Sequence, residues 1–416
     1  MGTSTTDIWV YAHWAGMSEP SNIGILSAHH AKGRKSFSFE YNKDWLKSKN
    51  LFLLDPEIGF YSGKQFSEKD DNFGIFLDSM PDSWGRTLLK KKESLLAKKE
   101  NRKPKTLHDI DFLLGIADYS RMGALRFKLN PNDSFLGNSS EISVPPWVVV
   151  RDLQNIAQII ESESDNADLL NWLNILIAPG SSLGGARPKA NIKDQKGSLL
   201  IAKFPSKNDI IDKAKWEYLA YLLARKSGIN ISESLIEKVN GNYHTFFTKR
   251  FDRINSDRIH FASAMTMTGN NETTIRDNPA SYLDLALFIQ ERGGSIKEDL
   301  SELWRRIVFN IAISNTDDHL RNHGFILNNQ QWRLSPAYDI NPSTDKEGLS
   351  LNIDEHSNAL DYDLAISVGE FFRLNKAEMD KILINVREVV SNWEKTAKEI
   401  KISKTEIELM QTAFRF

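Results

Sequence analysis

Residues 315–339 read NTDDHLRNHGFILNNQQWRLSPAYD, and Asp317, Asp318, His319, Asn322 and His323 put five acid, amide and imidazole side chains into seven consecutive places. A further carboxylate, Asp339, follows the apolar segments GFIL and WRLS. These flank a polar tip at Asn328 to Gln331, a pattern that predicts paired strands. The hairpin would return Asp339 beside the Asp317 loop. Phosphoryl transfer gives such a density of groups a chemical reason, because it needs one Asp to orient or deprotonate a hydroxyl and an Asn and a second Asp to hold Mg²⁺ on nucleotide phosphates. A single Asp or His in a loop is as often a cap or a solvated turn residue. It is the set that points to chemistry.

Immediately upstream, Leu303, Trp304, Ile307, Val308 and Ile311 fall on one face of a predicted helix, so the polar set lies where a helix gives way to a loop. Loops held on rigid elements are where catalytic groups concentrate. The separation of Asp317 and Asn322 is that of the Asp and Asn in a kinase catalytic loop.

Further toward the N-terminus, PGSSLGGARPKANIKDQKGSLLIAKFP (179–205) contains two strand-like segments, ARPKANI and GSLLIAKF, preceded by Ser181, Ser182, Gly184 and Gly185. Glycines allow close backbone approach to a phosphate, and free amides in such a loop form an anion nest. Small residues mark ordinary turns at least as often. Lys203 sits among the apolar residues Leu199, Leu200, Ile201 and Phe204, either on the solvent face of its strand or reaching for phosphate oxygens. The helix KAKWEYLAYLLARKSG follows at 213–228, where Glu217 either pairs with Lys203 or favours the helix N-terminus. HTFFTKRFDR (244–253) is strand-like, with a backbone that could offer hydrogen bonds to adenine.

The N-terminal third reads differently. Strand-like segments at 7–12, 22–28 and 36–41 predict an antiparallel sheet, followed by helical sequence interrupted at Pro81, a helix at 108–118 and a strand at 123–129. Eight basic residues lie between Lys90 and Lys105 against Glu93 and Glu100, a pattern of a solvated helix more often than of a phosphate-backbone contact. The remainder from about 279 is helical, including 375–400 with Met379, Ile382, Val386, Val389 and Trp393 on one stripe. The fold class expected is therefore α+β, a two-lobed protein-kinase-like fold with an N-terminal β-rich subdomain and a mainly helical C-terminal lobe. The expected segments are 1–145, 146–255 with the glycine-rich loop and lysine, and 256–416 with the catalytic loop.

Composition sets the outer limits. The 416 residues, 40% hydrophobic and 26% charged with net charge −2, are those of an ordinary globular protein and give no global reason to bind nucleic acid. With no cysteine, disulfides, thiolate metal sites and cysteine nucleophiles are excluded. The absence of a long apolar run or a signal peptide leads to the expectation of a cytoplasmic protein without membrane contact.

SLGGARPK, IAKFP, KRFDR, TDDHLRN and SPAYDI, in this order, resemble the HipA-like serine/threonine kinases, the toxin components of bacterial type II toxin-antitoxin systems. FEYNKDWL, MPDS at 80–83 and DFLLGIADYSRMGALRF extend the resemblance upstream over nearly the whole chain. It implies that Asp317 is the catalytic base, that Asn322 and Asp339 hold Mg²⁺, and that His319, Leu320, Arg321 and Asn322 with Tyr338 border ATP. By the same resemblance Gly184, Gly185, Ala186, Arg187, Pro188 and Lys189 form the phosphate loop, Lys203 contacts the phosphates, and Lys249, Arg250 and Phe251 form the adenine edge, largely through backbone. Ser182, or Ser181 beside it, matches a serine whose autophosphorylation silences the enzyme. The implied partners are a HipB-like helix-turn-helix antitoxin, operator DNA reached through it, and a protein substrate such as an aminoacyl-tRNA synthetase. Asp318 stands where a small residue is common, which raises an effect on metal affinity. Arg187-Pro188 likewise replaces other polar pairs.

Two other readings use the same residues. Asp317, Asp318, His319, His323 and Asp339 would ligate metals in a phosphohydrolase, which leaves the glycine loop and Lys203 unexplained. A catalytically weak nucleotide-binding module acting through antitoxin and DNA keeps the fold and loses the chemistry.

Overall fold

In the computed structural model, which describes residues 4–31, 34–68, 72–137, 147–162, 169–177, 185–255 and 257–416, the alternating N-terminal segments form one antiparallel sheet. Its order across the sheet is Gln65–Phe66, Arg34–Tyr41, Ser21–Ala31, Ser4–Ala12 and Leu125–Lys128. Side chains in a strand alternate between faces, and here Ile8, Val10, Ala12, Phe37, Phe39 and Tyr41 all turn inward and are buried. Phe76, from the short helix Gly74–Leu77, meets Phe39 and Phe127 at ring separations of 5.5 and 6.3 Å. The expected interruption at Pro81 is a true break. Beyond it Asp82 accepts the amide of Gly85 at 2.8 Å and caps the helix Ser83–Lys99.

By packing, the chain falls into two compact units, residues 1–207 with 250–262 and residues 208–249 with 263–416. The expected segment boundary at 145 lies outside the described residues. The first unit contains the sheet, the helices Val150–Glu161 and Leu169–Ile177, and the antiparallel hairpin Lys189–Lys193 with Leu199–Lys203. Arginines tie its 250–258 segment down: Arg250 and Arg253 both pair with the fully buried Asp252, while Arg126 and Arg258 pair with Asp118. The basic run near Lys90 is partly neutralised within the same unit. Arg102 pairs with Glu93 and Glu100, and Lys91 donates to the Ile160 carbonyl at 2.9 Å.

The second unit is built around the helix Ile296–Ala312. Leu300, Leu303, Trp304, Ile307, Val308, Phe309 and Ile311 are each fully buried, so the stripe predicted for one face extends around most of the helix, as suits a central element. Its Trp304 indole donates to the Ala365 carbonyl at 2.9 Å. The expected long helix at 375–400 is two, Lys376–Ser391 and Trp393–Glu399. At the join the Asn392 carboxamide bonds back to the Glu388 carbonyl at 2.9 Å, the competition with helical hydrogen bonds that makes asparagine a poor interior residue. The break lets Trp393 stack flat on Phe414 at 4.0 Å. Among the described residues no helix is long and apolar enough to cross a membrane.

Candidate active site

The predicted hairpin is present as Gly324–Asn328 and Gln331–Leu334, with Asn328 opposite Gln331. Asn329 and Gln330 at its tip have φ of 48° and 64°, the two positive values that a type I′ turn requires and that match the twist of the flanking strands. The chain beyond it comes back to the loop it left. Tyr338 donates its hydroxyl to the Arg321 carbonyl at 2.8 Å, Asn341 donates its amide to Asn315 Oδ1 at 3.4 Å, and the Ser343 amide bonds the Ser314 carbonyl at 3.2 Å. Asp339 lies between them with φ of 57°, a left-handed conformation that aspartate tolerates better than most residues.

The helix Ile296–Ala312 delivers the loop and is closed by its own capping. Ser314 has φ of 49°, and its Oγ accepts Arg415 Nε at 3.1 Å while the Arg415 amide bonds the Ala312 carbonyl at 2.8 Å. From there the polar residues separate by role. The Asp317 side chain is 74% exposed and lies 3.8 Å from the surface Lys346 ammonium. Asn322 is 4% exposed. Its Nδ2 donates to the Asp317 carbonyl at 2.9 Å, which leaves its buried Oδ1 with no hydrogen-bond donor among the described residues. A buried oxygen left unpaired is costly, and a hard cation is the ligand that would satisfy it. Asn322 and Asp339 therefore suit Mg²⁺, which is held by one or two protein oxygens plus substrate phosphates rather than by an all-protein cage.

Asp318 and His323 do something else. Asp318 Oδ2 accepts His323 Nε2 at 2.7 Å, the Tyr282 hydroxyl at 2.5 Å and Asn310 Nδ2 at 2.8 Å, with both Asp318 and His323 buried. Three donors thus converge on Asp318 Oδ2, while the buried His323 Nδ1 has no hydrogen-bond partner among the described residues. Among the described residues no group of three or more His, Cys, Asp or Glu is placed to hold a metal. The three bonds to its Oδ2 make Asp318 an anchor of the loop.

Apart from Lys249, the expected phosphate-loop, lysine and adenine-edge residues belong to the first unit. Lys203 is half-buried and lies directly opposite Lys189 in the hairpin register. Two like charges across a strand pair repel, and the structure shows what relieves this: Lys189, 3% exposed, pairs with Asp82 at 2.9 Å and donates to the Gly185 carbonyl at 3.3 Å. The Lys189 ammonium is thus engaged inside the protein, and the MPDS segment supplies both a helix cap and its counterion. Sequence reading found the segment and missed its task, because the partner lies 107 residues away. Gly185 has φ of 89°, which favours glycine. Ala186 is exposed, Arg187 half-buried and Pro188 buried. Gly184, Ser181 and Ser182 lie outside the described residues.

Of the expected adenine edge, Lys249 donates its amide to the Glu233 carbonyl at 2.8 Å and Arg250 its amide to the Leu199 carbonyl at 2.9 Å, so neither amide is open to a purine. The Arg250 guanidinium is equally committed. It bonds Asp252, the Ser120 carbonyl at 2.6 Å and Asn191 Oδ1 at 3.0 Å.

With this geometry in hand, the family follows from the match of residues 181–393 to the HipA-like C-terminal domain, about half of the chain. The chain belongs to the HipA-like family. Over 181 residues it is 27% identical to a Haemophilus influenzae protein called "Putative kinase", covering 39% of this chain and 52% of that one; the chain thus spans about half the length of that curated relative. In three dimensions it is similar to a chain from the Shewanella oneidensis complex of the toxin-antitoxin system HipA, HipB and its operator DNA. The TM-score is 0.65 at 17% identity, over 98% of this chain and 94% of that one. The α+β, kinase-like class expected from the sequence is therefore the HipA fold. The Helicobacter pylori proinflammatory kinase CtkA covers 53% of this chain and 94% of its own at 15% identity, and its TM-score of 0.34 is too low to carry an argument.

Proposed function

We propose that this chain is an ATP- and Mg²⁺-dependent serine/threonine protein kinase, acting as the toxin of a pair with a HipB-like helix-turn-helix antitoxin. The observation that carries this reading is the seating of Asn322. Its donor side is spent on the Asp317 carbonyl and its buried oxygen is left unpaired, beside an exposed Asp317 carboxylate. In this role Asp317 accepts the proton of a substrate hydroxyl as the hydroxyl oxygen bonds the γ-phosphorus and ADP departs. Asn322 and Asp339 would hold the metal, which would offset charge on the phosphates. Tyr338, with its hydroxyl on the Arg321 carbonyl, buttresses the 319–322 segment, and by the family resemblance Lys203 and the 184–189 loop would contact the phosphates.

The segments expected from the sequence give the division of labour. Residues 1–145 dock the antitoxin, through which operator DNA is reached, 146–255 hold the nucleotide, and 256–416 perform the transfer in the cytoplasm on a translation component such as an aminoacyl-tRNA synthetase. Asp339→Asn should raise the Mg²⁺ concentration for half-maximal activity by about tenfold or more, since a charged oxygen ligand is replaced by a neutral one. A metal titration superimposable on that of the unaltered chain would remove Asp339 from the site.

Regulation falls on the glycine loop. Ser182 directly precedes Leu183-Gly184-Gly185 in the sequence, so a phosphate on it, with a charge of about −1.5 to −2, would compete with the γ-phosphate for the proposed phosphate loop. Mass spectrometry after incubation with Mg-ATP should find phosphate at Ser182 in the active chain and none in Asp317→Asn. Ser182→Ala should stay active longer. Phosphate confined to Ser181, or full phosphorylation of Ser182 with ATP affinity unchanged, is the contrary result.

A further inference from the structure

The last turn of the helix Ile296–Ala312 carries one amide, Asn310, which is 2% exposed among apolar neighbours. A buried carboxamide has two donor hydrogens and an acceptor to satisfy, and each left unpaired costs about 1–3 kcal/mol. Asn310 satisfies all three within the loop region. Its Nδ2 donates to Asp318 Oδ2 at 2.8 Å and to the Tyr282 oxygen at 3.2 Å, and its Oδ1 accepts Asn315 Nδ2 at 3.0 Å.

Two arms run out from this amide. Along the first, Asp318 is pinned by Asn310, Tyr282 and His323 together. An ionised carboxylate only accepts, so His323 presents Nε2–H and Tyr282 its hydroxyl proton. Burial, and then the charge of Asp318, hold that hydroxyl far from ionisation. The two anchored residues sit next in sequence to Asp317 and to Asn322, so the loop between them has both ends fixed. Along the second arm, Asn315 Oδ1 accepts the Asn341 amide at 3.4 Å, and Asn341 Nδ2 reaches Asp339 Oδ1 at 3.4 Å.

We infer that Asn310 is a positioning residue that sets the two halves of the site against each other, Asp317 and Asn322 through Asp318, and Asp339 through Asn315 and Asn341. The inference rests on the proposed roles of those groups in phosphoryl transfer. It assigns the task to a helix residue outside every motif of the sequence. An amide suits it because one side of the group donates and the other accepts.

Three variants separate this relay from general support of the core. Asn310→Ala should lower kcat at saturating Mg-ATP about a hundredfold, the cost of roughly 1 Å of misplacement, and raise the Mg²⁺ requirement about tenfold. Hydrogen exchange should quicken about tenfold or more in both 316–322 and 338–343, since local opening is governed by local contacts. Tyr282→Phe removes one bond to Asp318 and one from Asn310 Nδ2 but leaves the bond of Asn310 Oδ1 to Asn315 intact, and should lower kcat and quicken exchange in 316–322 only. Asn315→Ala cuts the second arm and should raise the Mg²⁺ requirement and quicken 338–343 only. If Asn310→Ala does not fold, the two single-arm variants carry the same decision. The relay is overturned if Asn310→Ala leaves exchange in either segment unchanged, or if each single-arm variant loosens both segments equally. An unaltered chain that transfers no phosphate would sink the kinase reading instead, and the exchange pattern, which needs no activity, would still decide the relay.

Discussion

Asp317→Asn should lower the rate of phosphoryl transfer by about a hundred- to ten-thousandfold, the range over which a positioned general base contributes, while ATP binding and thermal stability stay close to those of the unaltered chain. The separation follows from where the residue's atoms are used. Its carbonyl holds Asn322, and that bond survives the substitution. Its carboxylate is exposed, and its contact with Lys346 at 3.8 Å is a surface pair of the kind worth little to folding. Asparagine keeps the shape and loses the basicity, so chemistry falls and the fold does not. Single-turnover transfer and nucleotide titration on the same preparation measure the two sides. Equal transfer by the two proteins would remove Asp317 from the reaction, and parallel loss of ATP binding would assign it to the nucleotide site instead.

Asp252→Ala should be the most destabilising single change, by about 3–5 kcal/mol, the cost of leaving a buried charge without its partner. Asp252 is fully buried and accepts Arg250 Nε at 2.8 Å, Arg250 Nη2 at 2.7 Å, Arg253 Nη1 at 2.5 Å and the Gly123 amide at 2.8 Å. Burial by itself would raise the carboxyl pKa, but Arg250 and Arg253 outweigh it and hold the value at about 2. A carboxylate depressed in the folded state stabilises above its unfolded pKa near 4, and that contribution fades as pH falls from about 4 toward 2. Urea midpoints should therefore differ widely between the unaltered chain and the variant at neutral pH, and the gap should narrow on acidification through that window. A gap independent of pH would mean that packing rather than charge accounts for the loss.

How much of this was legible in the chain depends on the range of each interaction. The hairpin 324–334, its tip and the helix before it follow from local periodicity, and the structure reproduces them almost residue for residue. The roles proposed for Asp317, Asn322 and Asp339 rest on their spacing and on the hairpin between Asn322 and Asp339, both of which are local features of the chain. The anchoring of Asp318 was not legible, because Tyr282 comes to it from a helix 36 residues earlier. The motifs of Lys189 and Arg250 gave no sign that Asp82, Asp252 and the Ser120 carbonyl, all assembled by the fold, engage their side chains. The split at Asn392 had a local signal, an asparagine in an apolar helix, but the gain that selects it is the contact of Trp393 with Phe414.

The central claim is that the loop 317–322 transfers the terminal phosphate of ATP to a protein hydroxyl, and incubation of the purified chain with γ-labelled ATP tests it most directly. The account predicts label incorporated into protein as acid-stable phosphoserine or phosphothreonine, dependent on Mg²⁺ and lost in Asp317→Asn. Release of free phosphate with no labelled protein, or labelling undiminished in Asp317→Asn, would contradict it.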